Sequence, residues 1–277
     1  MKKQNGRSIA AVLLALTMAM GLAACGNEGG GDAPDADLTP AEVLQKSQET
    51  MNAVKSVHYD MDLGFQMAAD GQTIDVKTTS AVDYTSEPVS MKMDVKADVG
   101  GQTQDTTMYL VEEEGKAVMY MNSAGQWMNQ EVADLSEYDA TASMDLYFSS
   151  SENFEANGTE TINGVEANRY DGVIVKEDMA KVLDASGMDD MLAQMNMSSD
   201  DIDLTNLGDL TISIWIDPTT YYPVQYEMDM TAFMNALMTQ VYDDQLQGLE
   251  IKGVIVSMTL SQFDEVSPVE LPAEAKA

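Results

Sequence analysis

Between Val57 and Met67 the odd positions are Val57, Tyr59, Met61, Leu63, Phe65 and Met67, while the even ones are His58, Asp60, Asp62, Gly64 and Gln66. Side chains of a β-strand alternate between the two sides of a sheet, so this segment reads as one long strand with a dry side and a wet side. A parallel sheet buried on both sides would show a continuous apolar run instead. The alternation therefore restricts the chain to an antiparallel sheet covered on one side.

The following residues repeat the pattern. Asp70-Gly71 is a hairpin signal, and Ile74, Val76, Thr78, Ala81, Val82 and Tyr84 predict a return strand with an irregularity near Ser80. After Pro88, Val89, Met91, Met93, Val95, Ala97 and Val99 alternate with Ser90, Lys92, Asp94, Lys96 and Asp98. Gly100-Gly101 turns the chain into a fourth strand, about Gln104 to Val111, and Glu112 to Gly115 into a fifth, about Lys116 to Asn122. Consecutive strands joined by short turns make a meander. Farther on, Phe154 to Ile162 and Val165 to Val175 predict a hairpin about Asn163-Gly164. Ile212, Ile214 and Ile216, then Val224, Tyr226, Met228 and Met230, and finally Val254, Val256, Met258 and Leu260 predict three more strands.

Helices are expected at fewer places. Thr39, Pro40 and Glu42 have the order of a capping box with proline at the first helical position, and Val43, Leu44, Ser47, Met51 and Val54 then recur on one side. Asp134 to Ser151 reads as helical or irregular, Glu177 to Ser186 and Met188 to Asn196 as two short helices, Ser198 to Asp209 as a loop, and Thr231 to Tyr242 as a helix through Phe233, Leu237 and Val241.

The first residues have a different character. Lys2, Lys3 and Arg7 precede the twelve-residue apolar run Ile9 to Met20, which is too short for the roughly 20 residues of a membrane-spanning helix and predicts a signal peptide over 1–24. Leu22-Ala23-Ala24-Cys25 resembles the lipobox of bacterial lipoproteins, which implies a diacylglyceryl thioether on Cys25, the single cysteine. Two acyl chains hold a protein at a membrane where one does so only marginally. Residues 25–37, rich in Gly, Asp and Ala, form a flexible tether reaching roughly 20 Å, and 38–277 is the folded domain. These readings place the protein at the cell membrane, lipid-anchored on the extracytoplasmic side. The tether and the lack of disulfide cysteines suit a Gram-positive surface, with a Gram-negative envelope as the alternative.

Trp215-Ile216-Asp217-Pro218 with Pro223, Leu260 to Phe263, Pro268-Val269-Glu270-Leu271-Pro272, and Asn163-Gly164-Val165 before a tyrosine-bearing strand resemble Gram-positive lipoproteins related to the LolA and LppX/LprG lipoprotein-carrier superfamily. That resemblance implies an α+β domain, a curved antiparallel half-barrel with helices covering its concave apolar face, and a lipid or other apolar ligand. It carries no ligand contact onto a particular residue.

From the residues themselves, the candidates for lining a ligand cavity are Tyr59, Met61, Leu63, Phe65, Met91, Met93, Ile214 and Met228. Methionine is flexible and polarizable, so its abundance suits an adaptable cavity as well as ordinary core filling. The chain has 47 acidic against 14 basic residues, which excludes nucleic acid as a partner and reads as a solvated surface. Asp200, Asp201, Asp203 and Asp209 are the densest acidic group, but they lack the order of a calcium loop, and one histidine among scattered methionines is no copper site, so no metal is assigned. His58 reads as solvated on the wet side of its strand. No nucleophile elbow, zinc-protease motif or phosphate-binding glycine loop is present and no cofactor is implied, which points away from an enzyme. The functional expectation is a membrane-anchored binder of an apolar ligand, and the alternative is an envelope scaffold or partner-binding module with a solid core.

Overall fold

The computed structural model describes residues 38–69, 72–113, 115–132, 153–174, 203, 206–208, 210–242 and 249–276. Among these residues eleven antiparallel strands form one open sheet. They are β1 (Ser56–Ala69), β2 (Gln72–Ser86), β3 (Val89–Val99), β4 (Gln102–Glu113), β5 (Lys116–Ser123), β6 (Gln126–Val132), β7 (Glu155–Ile162), β8 (Val165–Ile174), β9 (Leu210–Ile216), β10 (Pro223–Asp229) and β11 (Leu249–Ser261). Two α-helices are present among the described residues, α1 (Pro40–Met51) and α2 (Thr231–Tyr242). The described part of the chain is thus mostly β, dominated by an antiparallel sheet as expected from the sequence, with fewer helices than the α+β class expected there. The helices expected at 134–151, 177–186 and 188–196 lie outside the described residues, as do Cys25 and most of the loop expected at 198–209.

The spatial order is β6-β5-β4-β3-β2-β1-β11-β10-β9-β8-β7. Two meanders therefore meet at a central seam where β1 pairs with β11, from His58 opposite Ser261 to Ala69 opposite Leu249. The alternation in β1 needs this arrangement, because a central strand with one dry side is covered along its whole length on that side only.

The turns explain the strand count. Asn163 and Gly164 both have positive φ (49° and 90°), the pair that a tight hairpin matched to strand twist requires. Ala124 and Gly125 adopt the same pair (52° and 80°) between β5 and β6. An alanine there gives no turn signal, and β6 is exposed along nearly all of its length, so a sixth strand follows where five are expected. The irregularity expected near Ser80 is absent. β2 keeps unbroken register with β1 and β3 through that point, with Ile74, Val76, Thr78, Ser80, Val82 and Tyr84 as one period-two set.

Helix α1 starts as its sequence requires. Glu42 N–H donates to the Thr39 hydroxyl at 3.3 Å, and Thr39 N–H donates to the Glu42 carboxylate at 2.8 Å. The helix buries Val43, Leu44, Ser47 and Met51 and is capped at Asn52, two residues short of Val54. Lys46 lies 4.8 Å over the ring of Tyr221 in the β9–β10 turn, and the next residue, Tyr222, stacks on Phe263 with centroids 4.1 Å apart. Helix α1 thus sits at the end of the sheet where β1 begins and β11 ends. Helix α2 sits at the other end. There the Asn235 side chain donates to Ile251 C=O at 2.9 Å and accepts from Ile251 N–H at 3.3 Å, while Val254 N–H donates to the Thr231 hydroxyl at 2.9 Å.

After β11 the chain laces the starts of β1 and β3 together. Asp264 N–H donates to Ser56 C=O at 2.7 Å, Lys55 N–H to the Asp264 carboxylate at 2.6 Å, Val266 N–H to the Ser56 hydroxyl at 3.1 Å and Val269 N–H to the Ser90 hydroxyl at 2.9 Å. A 3-10 turn, Ala273–Lys276, ends this segment with Lys276 paired to Glu113 at the end of β4.

Candidate ligand-binding face

Register decides what each side of the sheet presents. On β1, β2 and β3 one side has Val57, Tyr59, Met61, Leu63, Phe65 and Met67, the β2 set from Ile74 to Tyr84, and Val89 to Val99 at odd positions. The other side of the same strands has His58, Asp60, Asp62, Asp75, Lys77, Asp83, Lys92, Asp94, Lys96 and Asp98. The first side has no Asp, Glu, Lys, Arg or His on β1, β2, β3, β5, β9 or β10. β4 and β8 place Glu112 and Glu166 there, both exposed and next to strand ends. This is the apolar face, and it extends across both meanders with its two carboxylates confined to strand ends.

All eight residues expected to line a cavity lie on this face. Tyr59, Met61, Leu63, Phe65, Met91, Met93, Ile214 and Met228 are buried in one cluster that also takes in Val43, Leu44 and Met51 of α1 and Phe233, Met234 and Leu237 of α2. Met61 and Met228 are two strands apart, with Met258 of β11 opposite Met61 and Val256 opposite Met228. Ile214 lies opposite Tyr226 on β10.

Sequence reasoning did not single out two further features of the face. Met93, Met108, Met121 and Met128 are successive register partners on β3, β4, β5 and β6. This methionine row runs from buried Met93 and Met108 through half-buried Met121 to Met128, which is 58% exposed. Ile74 and Val99, at the far ends of β2 and β3, are also exposed, so the apolar face continues past its own core in two directions. The second feature is polar. The hydroxyls of Tyr59, Thr78 and Ser80, with that of Ser47 on α1, are buried without a hydrogen-bond partner. Burial, with Tyr84 nearby, pushes the Tyr59 phenol well above its ordinary range, so it stays a neutral donor. The period-two spacing of β2 was the available signal for Thr78 and Ser80, once the strand is read without a break.

On the charged side His58 is held between carboxylates, Nδ1 2.7 Å from Asp83 and Nε2 3.6 Å from Asp60. It is therefore not simply solvated: residues 58 and 60 share a side, and register brings Asp83 opposite. A small second core lies on this side, where Ala167, Trp215 and Val224 pack together and Arg169 stacks 4.9 Å over the Trp215 ring. Asn157, Gly158 and Thr159 fall in β7, at a register shift against β8. Among the described residues no group of three or more His, Cys, Asp or Glu could hold a metal ion, and no helix is long and apolar enough to cross a membrane.

Residues 39–277 match the model of a family of unknown function, DUF6612. The chain belongs to that family. No curated protein matches it. Among solved structures it is similar to the lipoprotein LppX of Mycobacterium tuberculosis, at 15% identity over 84% of this chain and 97% of that one with a TM-score of 0.44. It is also similar to LprF of Mycobacterium bovis, at 16% identity over 89% of this chain and 100% of that one with a TM-score of 0.44.

Proposed function

We propose that this protein is a membrane-anchored extracytoplasmic lipoprotein whose neutral sheet face binds a lipid or other apolar ligand. The observation that carries the reading is the separation of charge: the strands crowd their carboxylates and lysines onto one side and keep the other free of charge out to the exposed methionine of the edge strand, except for exposed Glu112 and Glu166 near strand ends. A surface of that kind releases water when an apolar molecule covers it, worth about 25 cal/mol for each Å² removed from water, with no covalent chemistry. Methionines along the face adapt to chains of different shape. In this reading the sheet curves as a half-barrel, the helices cover its concave face, and residues 25–37 tether the domain to a diacylglyceryl group on Cys25.

The test is native mass spectrometry of the full-length protein purified from its own host, followed by solvent extraction. A near-equimolar apolar species is expected to co-purify, and Met121→Lys is expected to lower its occupancy. The half-buried position lets a lysine reach solvent, so the variant folds. A protein that arrives empty and takes up no apolar probe favours the solid-core scaffold instead.

A further inference from the structure

The hydroxyls on the apolar face set the chemistry of what binds there. Tyr59, Thr78 and Ser80 are 2%, 1% and 3% exposed, and their oxygens have no hydrogen-bond partner. They are neighbours: Ser80 is opposite Met61 and Thr78 opposite Leu63, while Tyr59, opposite Val82, lies diagonally next to Ser80. Each hydroxyl has lost its water and gained nothing in return. A core built only for stability has a simple remedy, because Tyr59→Phe, Thr78→Val and Ser80→Ala keep the shape and remove the cost.

The polarity does not stop at β2. Along one register row Ser80 is followed by Val95, Thr106, Ser123 and Gln126 on β3, β4, β5 and β6. Burial falls along this row, from Ser80 and Thr106 through half-buried Ser123 to exposed Gln126. Apart from buried Val95 between Ser80 and Thr106, it is a lane of uncharged hydrogen-bonding groups leading from the sheet edge to the orphaned hydroxyls.

We propose that the ligand of this face carries an uncharged hydrogen-bonding group, an ester or an alcohol, which Thr78, Ser80 and Tyr59 bind after it enters along the lane from β6. The proposal rests on the apolar-ligand reading and narrows it. Hydroxyls can donate to an ester carbonyl and both donate to and accept from an alcohol. A carboxylate or phosphate would enter a face on which β1, β2 and β3 offer no cation, and a buried anion without a partner is strongly disfavoured.

Four probes of equal chain length separate the outcomes on the full-length protein: methyl oleate, oleyl alcohol, oleate and octadecene, each titrated by displacement of a fluorescent hydrocarbon. Methyl oleate or oleyl alcohol is expected to bind about tenfold or more tighter than oleate and octadecene, the difference that one or two hydrogen bonds make. Thr78→Val/Ser80→Ala is expected to erase that advantage while octadecene binding holds and the urea midpoint holds or rises, since the orphaned hydroxyls are gone, and Thr78→Ser is expected to retain it. Whichever of the ester and the alcohol loses more identifies the bound group. If octadecene or oleate binds wild type as well as the ester and alcohol do, or if the double variant keeps the preference, this proposal fails and the apolar-ligand reading stands. If none of the four binds, both fail.

Discussion

The ring of Phe154 occupies the space that a side chain on Gly172 would need: a Cβ built there comes within 2.6 Å of three ring carbons. Gly172 lies in β8 opposite Ile212, and Phe154, just before β7, folds its ring onto the apolar face of the neighbouring strand. The glycine is a matter of space, since its φ is ordinary. Gly172→Ala must push out the ring or bend the strand, and overpacking of this kind costs about 1–3 kcal/mol. Urea denaturation is expected to show that loss, and Phe154→Ala/Gly172→Ala is expected to lose less than the two single changes added together, because the clash is gone. Simple additivity would mean that the two positions do not touch.

Beside the Thr231 hydroxyl, helix α2 is pinned to β11 by the Asn235 carboxamide. Asn235 satisfies both backbone groups of Ile251, where β11 has a register irregularity against β1 between Gln66 and Met67. Asn235→Ala leaves a buried N–H and C=O without partners, for a loss of about 1–3 kcal/mol. Hydrogen exchange at the Ile251 amide is expected to accelerate more than at Val256, in the middle of the same strand. Uniform acceleration would show that the bond has no local role.

What the sequence makes legible here are the features whose cause is local. The β1 alternation, the Thr39–Glu42 capping box and the Asn163-Gly164 turn all depend on residues a few positions apart, and each appears in the fold as expected. So does the gathering of Met61, Phe65, Met93 and Met228 on one face, because period two assigns a side without reference to partners. The β1–β11 seam joins residues about two hundred positions apart, and no short pattern specifies it. Strand β6 buries too little to alternate, and its Ala124-Gly125 turn lacks the usual asparagine or aspartate. Ser80, two residues after Thr78, looks like an interruption because apolar character is the signal for the inner side. In the fold both stay on that side as polar exceptions.

The C-terminal segment works through two serines, and Ser90 is the more telling. Its oxygen accepts from Val269 N–H and lies 2.8 Å from the Thr85 hydroxyl, which itself donates to Pro88 C=O at 2.7 Å. With the Thr85 proton so committed, the Ser90 hydroxyl is the donor in their bond. Ser90→Ala therefore orphans one donor and one acceptor, and about 1–3 kcal/mol of stability should be lost. Val269 amide exchange is expected to rise toward that of a free chain. Protection that survives in Ser90→Ala would mean that Pro268 and Pro272 alone hold the segment in place.

Asp171 anchors the polar side of the second meander and gives the fold a pH-dependent contribution. Burial by itself would raise its carboxyl, but hydrogen bonds from Asn157, from the Ser213 hydroxyl at 2.7 Å and from Arg169 Nε at 2.6 Å, together with the Arg169 charge, outweigh it and hold the group below the ordinary carboxylate range. A carboxylate whose pKa is lower folded than unfolded stabilises the fold fully above its unfolded value, about 3.9 for aspartate. That contribution disappears as pH falls from there through the folded value. Asp171→Asn removes the charge and turns an amide toward Asn157, so at neutral pH the variant is expected to be less stable by about 1.5–3 kcal/mol, the range for hydrogen bonds to a charged group. With 47 acidic residues the acid limb of either protein alone reports many groups at once, but the difference between the two isolates this one. That difference should be flat from neutral pH to about pH 4 and narrow below it. A gap that stays constant through the acid limb would show that Asp171 acts through shape and not through charge.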